Sequence, residues 1–302
     1  MNGNPDFSNI VKEKQRKERN KKIIPVIVLA ALVLAVMLFV FLYLIPQNNR
    51  KKAYNYANEL YQSGEYSLAI EEYKKLGDYL DSAEKRKEII AGAEYKQTKI
   101  KEAKEGETVF LGVFEQDCDY DEKEKIEWIV LKKQEDKALL ISRYVIDCRV
   151  YNSENRNATW ASCELRDWLN GNFYTSSFTS EEKRLILTTE IAPGETSPDD
   201  EVTSYDKIFL LSLKELEEYF PTAEERKCYP TEYAKAKGVT TNLSWNADNL
   251  HDCWWWLRDC NTKHYTPIVV LAGTILYDGM YYNKDGIGVR PAMWVSLGEL
   301  EE

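Results

Sequence analysis

Between Ile23 and Ile45 the chain runs IIPVIVLAALVLAVMLFVFLYLI, 23 residues with no charge and no polar alternation. At about 1.5 Å rise per residue this helix spans roughly 34 Å, enough to cross a hydrocarbon core of about 30 Å. The run ends in IPQNNRKK rather than in a small-residue cleavage site, which predicts an uncleaved anchor. Pro25 falls in its first turn, where a missing N–H breaks no bond.

Beyond the anchor the pattern changes twice. Residues 50–104 have almost no β-branched runs and are rich in Ala, Glu, Lys, Leu and Tyr, which predicts helices. From Gly106 short apolar runs alternate with turn residues. TVFLGVF (108–114), IEWIVLKK (126–133) and KALLIS (137–142) predict strands, the last two as a hairpin. CELRDWLNGNFY (163–174) predicts an amphipathic helix with Leu165, Trp168 and Leu169 on one face. TSEEKRLILTT opens with a capping box at Thr179 or Ser180. KIFLLS (207–212) predicts a buried strand leading into the helix LKELEEYF, and TEYAKAKG a short helix closed by Gly238. CWWWLR, PIVVLAGTILY and GVRPAMWVSL have strand composition, with loops at 193–204, 239–252 and 277–287. Strands and helices do not alternate regularly, so residues 106–302 predict an α+β domain rather than a doubly wound one.

In the helical stretch, Leu60, Gly64, Tyr66, Ala69 and Tyr73 fall at the spacings of a tetratricopeptide-like hairpin. Gly64 turns the chain, Ala69 permits close approach of the helices, and Tyr66 and Tyr73 fill the groove. Asp81 stands where that family places a helix-stopping proline. One copy cannot bury its own face, so a further helix from about Tyr79 to Ala103 is expected to cap it. Such a unit serves as a stalk or as a docking platform for a protein partner.

Charge orients the anchor. Residues 1–22 carry seven Lys/Arg against three acids, and the other flank offers Arg50, Lys51 and Lys52 before turning acidic. The bias predicts a cytoplasmic N-terminus, with everything after residue 46 outside. The tail nets +4 of a total of −10, leaving −14 for the remainder. An acidic exterior argues against nucleic-acid binding, which needs a basic stripe.

All six cysteines (118, 148, 163, 228, 253, 260) lie beyond the anchor, where an oxidising compartment would permit bridges. Seven residue steps separate Cys253 from Cys260, about 23 Å if extended, against the roughly 5.5 Å between Cα atoms of a disulfide. These two are therefore not partners. Cys148 and Cys163, with 14 residues between them, are the couple most easily closed; buried free thiols are the alternative. Between Cys253 and Cys260 lie Trp254, Trp255 and Trp256. In an extended strand they alternate in direction, so both faces are apolar and the segment is expected in a core.

The blocks IEWIVLKK…KALLIS, TWASCELRDWLNGNF, DKIFLLS, PTEYAKAKG, WWWLRDC and GVRPAMWVSL, in this order over about residues 106–298, resemble an uncharacterised bacterial domain family. That family is common in Gram-positive, clostridia-like species and is signed by WWLRS followed by GVRPA. Trp255, Trp256, Leu257 and Arg258 take the WWLR positions, with Asp259 where serine is usual. Gly288, Val289, Arg290, Pro291 and Ala292 match the last block in full. WWLR…GVR also resembles the end of the formylglycine-generating-enzyme branch of C-type-lectin-like folds. That resemblance implies a C-type-lectin-like α+β domain in which Arg290 is structural and the loops before it form the ligand face. Those loops carry Trp245, Tyr277, Tyr281 and Tyr282 among Asn, Asp and Lys, a composition suited to sugars or peptides.

Much chemistry is missing from the sequence. Only His251 and His264 occur, without metal-ligand spacing, and there is no nucleophile elbow, P-loop or dinucleotide fingerprint. The acids of 117–124 and Asp199, Asp200 and Glu201 read as solvated loop charge. No metal and no cofactor is expected. The sequence thus predicts a membrane-anchored surface protein with a cytoplasmic tail (1–22), a span (23–45), a helical stalk (50–104) and a ligand-binding ectodomain (106–302). An enzyme related to formylglycine generation, or a purely structural envelope protein, is the alternative.

Overall fold

The computed structural model describes residues 7–155, 158–193, 202–241, 252–260 and 264–300. They form two units, divided between Ile89 and Ile90.

In the first unit α1 (Phe7–Phe39) and α2 (Ile45–Gln62) are joined by Val40–Leu44, five residues of wider π-type helix, so the backbone is helical without a break from Phe7 to Gln62. Pro46 lies in the first turn of α2. Its ring collides with the carbonyl four residues back in a regular helix and it has no N–H to donate, and the wider turn just before it relieves both. Large apolar side chains from Ile24 to Ile45 are exposed, Phe41 by 69% and Leu42 by 68%. A helix apolar all round with no protein over it is suited to lipid. This is the one candidate membrane-spanning helix among the described residues.

α2 and α3 (Tyr66–Leu76) pack as a helical hairpin. Gly64 adopts φ +79°, and the Gly64 and Glu65 N–H groups close the end of α2 on the carbonyls of Tyr61 and Leu60. Ala57, Ala69 and Tyr73 are fully buried, and the Tyr73 hydroxyl donates to Asn58 Oδ1 at 2.7 Å. Burial pushes the Tyr73 phenol up to about 12. Asp81 accepts the Tyr54 hydroxyl, and the Tyr54 ring stands edge-on to Tyr73 and Tyr79. The single helix expected from Tyr79 to Ala103 is two: α4 (Ser82–Ala91) and α5 (Ala93–Glu102), interrupted at Gly92, whose ψ of 151° is extended. α5 belongs to the second unit. There the Gln97 amide donates to the Ser296 and Gly298 carbonyls, and Lys96 pairs with Glu182 at 2.7 Å.

The second unit is built on two sheets. β1 (Thr108–Phe114), β2 (Glu124–Lys133), β3 (Lys137–Ser142) and β11 (Ala292–Ser296) form an antiparallel sheet in the order β1-β2-β3-β11. β4 (Asp147–Cys148), β7 (Trp255–Trp256), β8 (Tyr265–Val269), β9 (Ile275–Tyr281) and β10 (Gly288–Val289) form a mixed sheet in the order β4-β10-β7-β8-β9. A ribbon of β5 (Thr189–Ile191) and β6 (Ser204–Asp206) stands apart. The short helices α6 (Glu164–Trp168), α7 (Tyr174–Ser177), α8 (Ser180–Leu185), α9 (Leu213–Tyr219), α10 (Ala223–Arg226) and α11 (Glu232–Ala236) link these strands. The expected capping box is present: Thr179 accepts the Glu182 N–H and Glu182 accepts that of Thr179.

GVRPA is the crossover between the sheets: β10 lies in one, β11 in the other, and Arg290 and Pro291 make the switch. Gly288 is obligatory there, because a Cβ would stand 2.3 Å from Val145 Cγ1 and 2.9 Å from the Trp254 carbonyl.

Several expected elements differ. KIFLLS is buried from Ile208 to Leu211 but forms only an isolated bridge, Phe209 to Ala292. Ile208 bonds the Asn170 side chain, the Leu210 carbonyl accepts the Arg258 guanidinium and the Leu211 carbonyl accepts the Arg258 N–H. PIVVLAGTILY is a hairpin rather than one strand, turned where Ala272 and Gly273 both take positive φ. The run 277–287 is not wholly loop, since β9 extends to Tyr281. No disulfide joins Cys148 to Cys163 or any other two of the six cysteines, all of which are described.

Candidate functional site

Trp255 and Trp256 lie in the middle of the mixed sheet with no exposed surface. Each indole finds an acceptor, Trp255 the Arg226 carbonyl at 3.3 Å and Trp256 the Arg149 carbonyl at 2.8 Å. Trp254 is part-exposed, yet its Nε1 is buried without a partner among the described residues. Trp255 and Trp256 are core, whereas Trp254 is half-buried and lies outside β7.

Arg258, just after it, fastens the strand to α9: its guanidinium donates to the Leu210 carbonyl at 2.8 Å and grips both oxygens of Glu215. Asp259 adds a bond from the Leu213 N–H at 2.5 Å. Burial raises the Asp259 carboxyl, against the Leu213 N–H and the Arg258 charge, which lower it.

Arg290 is 2% exposed and has no ion pair among the described residues. Its guanidinium lies 4.9 Å from the Trp255 ring centre and 5.0 Å from that of Phe220, and Nε donates to the Ser142 carbonyl at 3.1 Å. Aromatic faces here take the place of a counter-ion. Among the described residues Nη1 has no partner, nor does Oδ1 of the buried Asp252, whose other oxygen accepts the Ala272 N–H at 2.6 Å. The sequence resemblance points to Arg290, whereas nothing in the sequence singles out Asp252.

The proposed ligand residues separate. Tyr282 is fully buried, stacked on Tyr151 at 5.2 Å between ring centres, and its carbonyl accepts the Tyr151 and Asn152 N–H groups; it has no face to offer a ligand. Tyr277 and Tyr281 are exposed by 53% and 47% on β9, the outermost strand of the mixed sheet. The Tyr281 ring lies 4.5 Å from that of Tyr265 across the β8–β9 pair, and the Tyr277 hydroxyl donates to Glu217 Oε1 at 3.0 Å. That bond, and then burial, raises the Tyr277 phenol. Asp278 is exposed between them. A bulge re-aims the strand at Gly279, which has φ +76° and stands where a Cβ would meet the Thr266 carbonyl at 2.5 Å. Trp245 lies outside the described residues, as do His251, Asp199, Asp200 and Glu201. Among the described residues β9 pairs on one side only. The patch offers aromatic faces, two carboxylates and an open strand edge.

Carboxylate oxygens of Glu115, Asp117 and Glu124 converge within 4.8 Å of one another. They accept backbone N–H groups of their own loop, Cys118 on Glu115, Gln116 on Glu124 and Asp119 on Asp117, and so shape the turn.

Comparison with curated proteins and with solved structures returns no match. Residues 135–297, more than half of the chain, match a family described as a domain of unknown function (DUF6273), and the chain belongs to that family.

Proposed function

We propose that this is a single-pass membrane protein whose second unit lies outside the cell and binds an extended envelope chain along β9. The basic tail would be cytoplasmic, as its seven Lys/Arg against three flanking the far side suggest. The α2–α3 hairpin would act as a tetratricopeptide-like stalk with room for a protein partner. A C-type-lectin-like arrangement, with Arg290 as the structural residue of a late core strand, is part of the same reading.

The observation that carries the ligand site is the pairing of exposed Tyr277 and Tyr281 with an open strand edge. An unpaired edge recruits a peptide as an added strand, and flanking aromatics give it side-chain contacts. Glu217 and Asp278 favour a neutral or basic chain. The alternative, an enzyme related to formylglycine generation acting through a reactive thiol, has less support: burial raises the Cys253 thiol well above its ordinary value, the reverse of an activated nucleophile.

The test is the double variant Tyr277→Ala, Tyr281→Ala in the full chain, assayed on purified cell-wall fragments and on a panel of extended peptides. Loss of binding with unchanged Tm supports the site; binding that persists overturns it. Retention on glycan with none on peptide overturns the strand-addition mode.

A further inference from the structure

The six cysteines divide by surroundings rather than by order in the chain. Cys118 and Cys148 are part-exposed, while Cys163, Cys228, Cys253 and Cys260 are buried. The buried four fall into two couples, each drawn from distant sequence.

Cys228 and Cys253 are bonded through their backbones. The Cys253 N–H donates to the Cys228 carbonyl at 2.9 Å, and Cys253 Sγ lies 3.4 Å from the same oxygen. The backbone bond and the Sγ contact bring the two residues side by side, the neighbourhood that a disulfide requires. Cys163 and Cys260 meet at the phenol of Tyr151. Its hydroxyl stands 3.4 Å from Cys260 Sγ, and the buried Cys163 thiol, bonded to the Trp160 carbonyl at 3.5 Å, feels both Tyr151 and Cys260 electrostatically. Tyr151 donates to the Arg258 carbonyl at 2.9 Å as well, and so keeps a partner when the sulfurs turn toward each other. Burial pushes the Cys163 and Cys253 thiols up, away from ionisation, and within each couple the neighbouring thiol pushes further the same way.

We propose that these are two disulfide sites, Cys163 with Cys260 and Cys228 with Cys253, closed by a small-molecule or protein disulfide while the domain folds outside the cell. The external setting rests on the topology proposed above; the pairing rests on the contacts within each couple. In each couple one thiolate attacks a sulfur of the oxidant disulfide and expels one oxidant thiolate. The second protein thiolate then attacks the protein sulfur of that mixed disulfide, forming the protein S–S bond and expelling the other. Two electrons pass to the oxidant, and the two protein protons end on its thiols. Exchange belongs to the folding chain, because the folded core holds these thiols protonated and out of reach.

The test synthesises the full chain in a cell-free extract with lipid nanodiscs, once in a glutathione redox buffer and once under reducing conditions. Thiols are then alkylated and the protein is digested without reduction. Trypsin cuts at Lys227, Arg258 and Lys263, so Cys253 and Cys260 fall in separate peptides. Expected in the oxidising arm are the links 163–260 and 228–253, with Cys118 and Cys148 alkylated and a Tm above that of the reduced arm. Four alkylated core thiols there, or a 148–163 link, overturns the pairing. The variant Cys163→Ser, Cys260→Ser should keep the 228–253 link, and its loss overturns the independence of the two couples. Protein taken from cell membranes reads the compartment: links support closure outside the cell, and thiols there, with links formed in the extract, overturn the topology but not the pairing.

Discussion

Single side chains join parts of the second unit that the sequence keeps far apart, and Glu182 shows how. Burial alone raises its carboxyl, but bonds from Lys96 and from the Thr179 and Gly112 N–H groups outweigh that and hold it below the ordinary value of 4.5. A depressed carboxylate contributes stability that is present above the unfolded value and lost as pH falls through the folded one. Thermal melts of the wild type should therefore weaken below about pH 4.5, and Glu182→Gln should flatten that acid limb; an unchanged limb would remove Glu182 from the account. Gly288→Ala forces Val145 and the Trp254 carbonyl apart and should cost about 1–3 kcal/mol in a denaturant midpoint assay. The signal for Glu182 was open in the sequence as the capping box at Thr179, but its reach to Gly112 and Lys96 was not, because local spacing carries no information on contacts 70 and 86 residues away.

At the scale of elements, apolar composition located segments better than it named their form. Trp255 and Trp256 were legible as core because both faces of the segment are apolar. KIFLLS was equally apolar, yet only Phe209 bridges a strand, the rest being held by Asn170 and Arg258. Asp278 and Gly279 read as turn residues, whereas the structure uses the glycine for a bulge that lets β9 continue to Tyr281. The proposed helix across 79–103 failed at Gly92, and the proposed ligand set lost Tyr282 to the core for want of any sequence sign of its stacking on Tyr151. α9 and β7 are coupled by Arg258. Arg258→Lys keeps the charge but loses the two-pronged grip on Glu215, and should destabilise by about 1.5–3 kcal/mol in equilibrium unfolding; a neutral result would show that the fastening is decorative.

For the whole molecule the decisive property is sidedness. Cys118 is part-exposed in an acidic loop, and burial followed by the charges of Glu115 and Asp117 raises its thiol, so it should label slowly at neutral pH and faster in mild alkali. A membrane-impermeant maleimide applied to intact cells should therefore modify Cys118 at pH 8.5, and labelling only after lysis would put the second unit inside.

The unbroken helix from Phe7 to Gln62 makes the first unit a torsion shaft. Each residue of an α-helix advances the azimuth by about 100°, so one residue added to or removed from Val40–Leu44 would swing the Tyr73 groove to another compass bearing without lengthening the shaft by more than about 1.5 Å. Whatever grips the basic end of this rod can in principle be felt at the hairpin as a twist rather than a push.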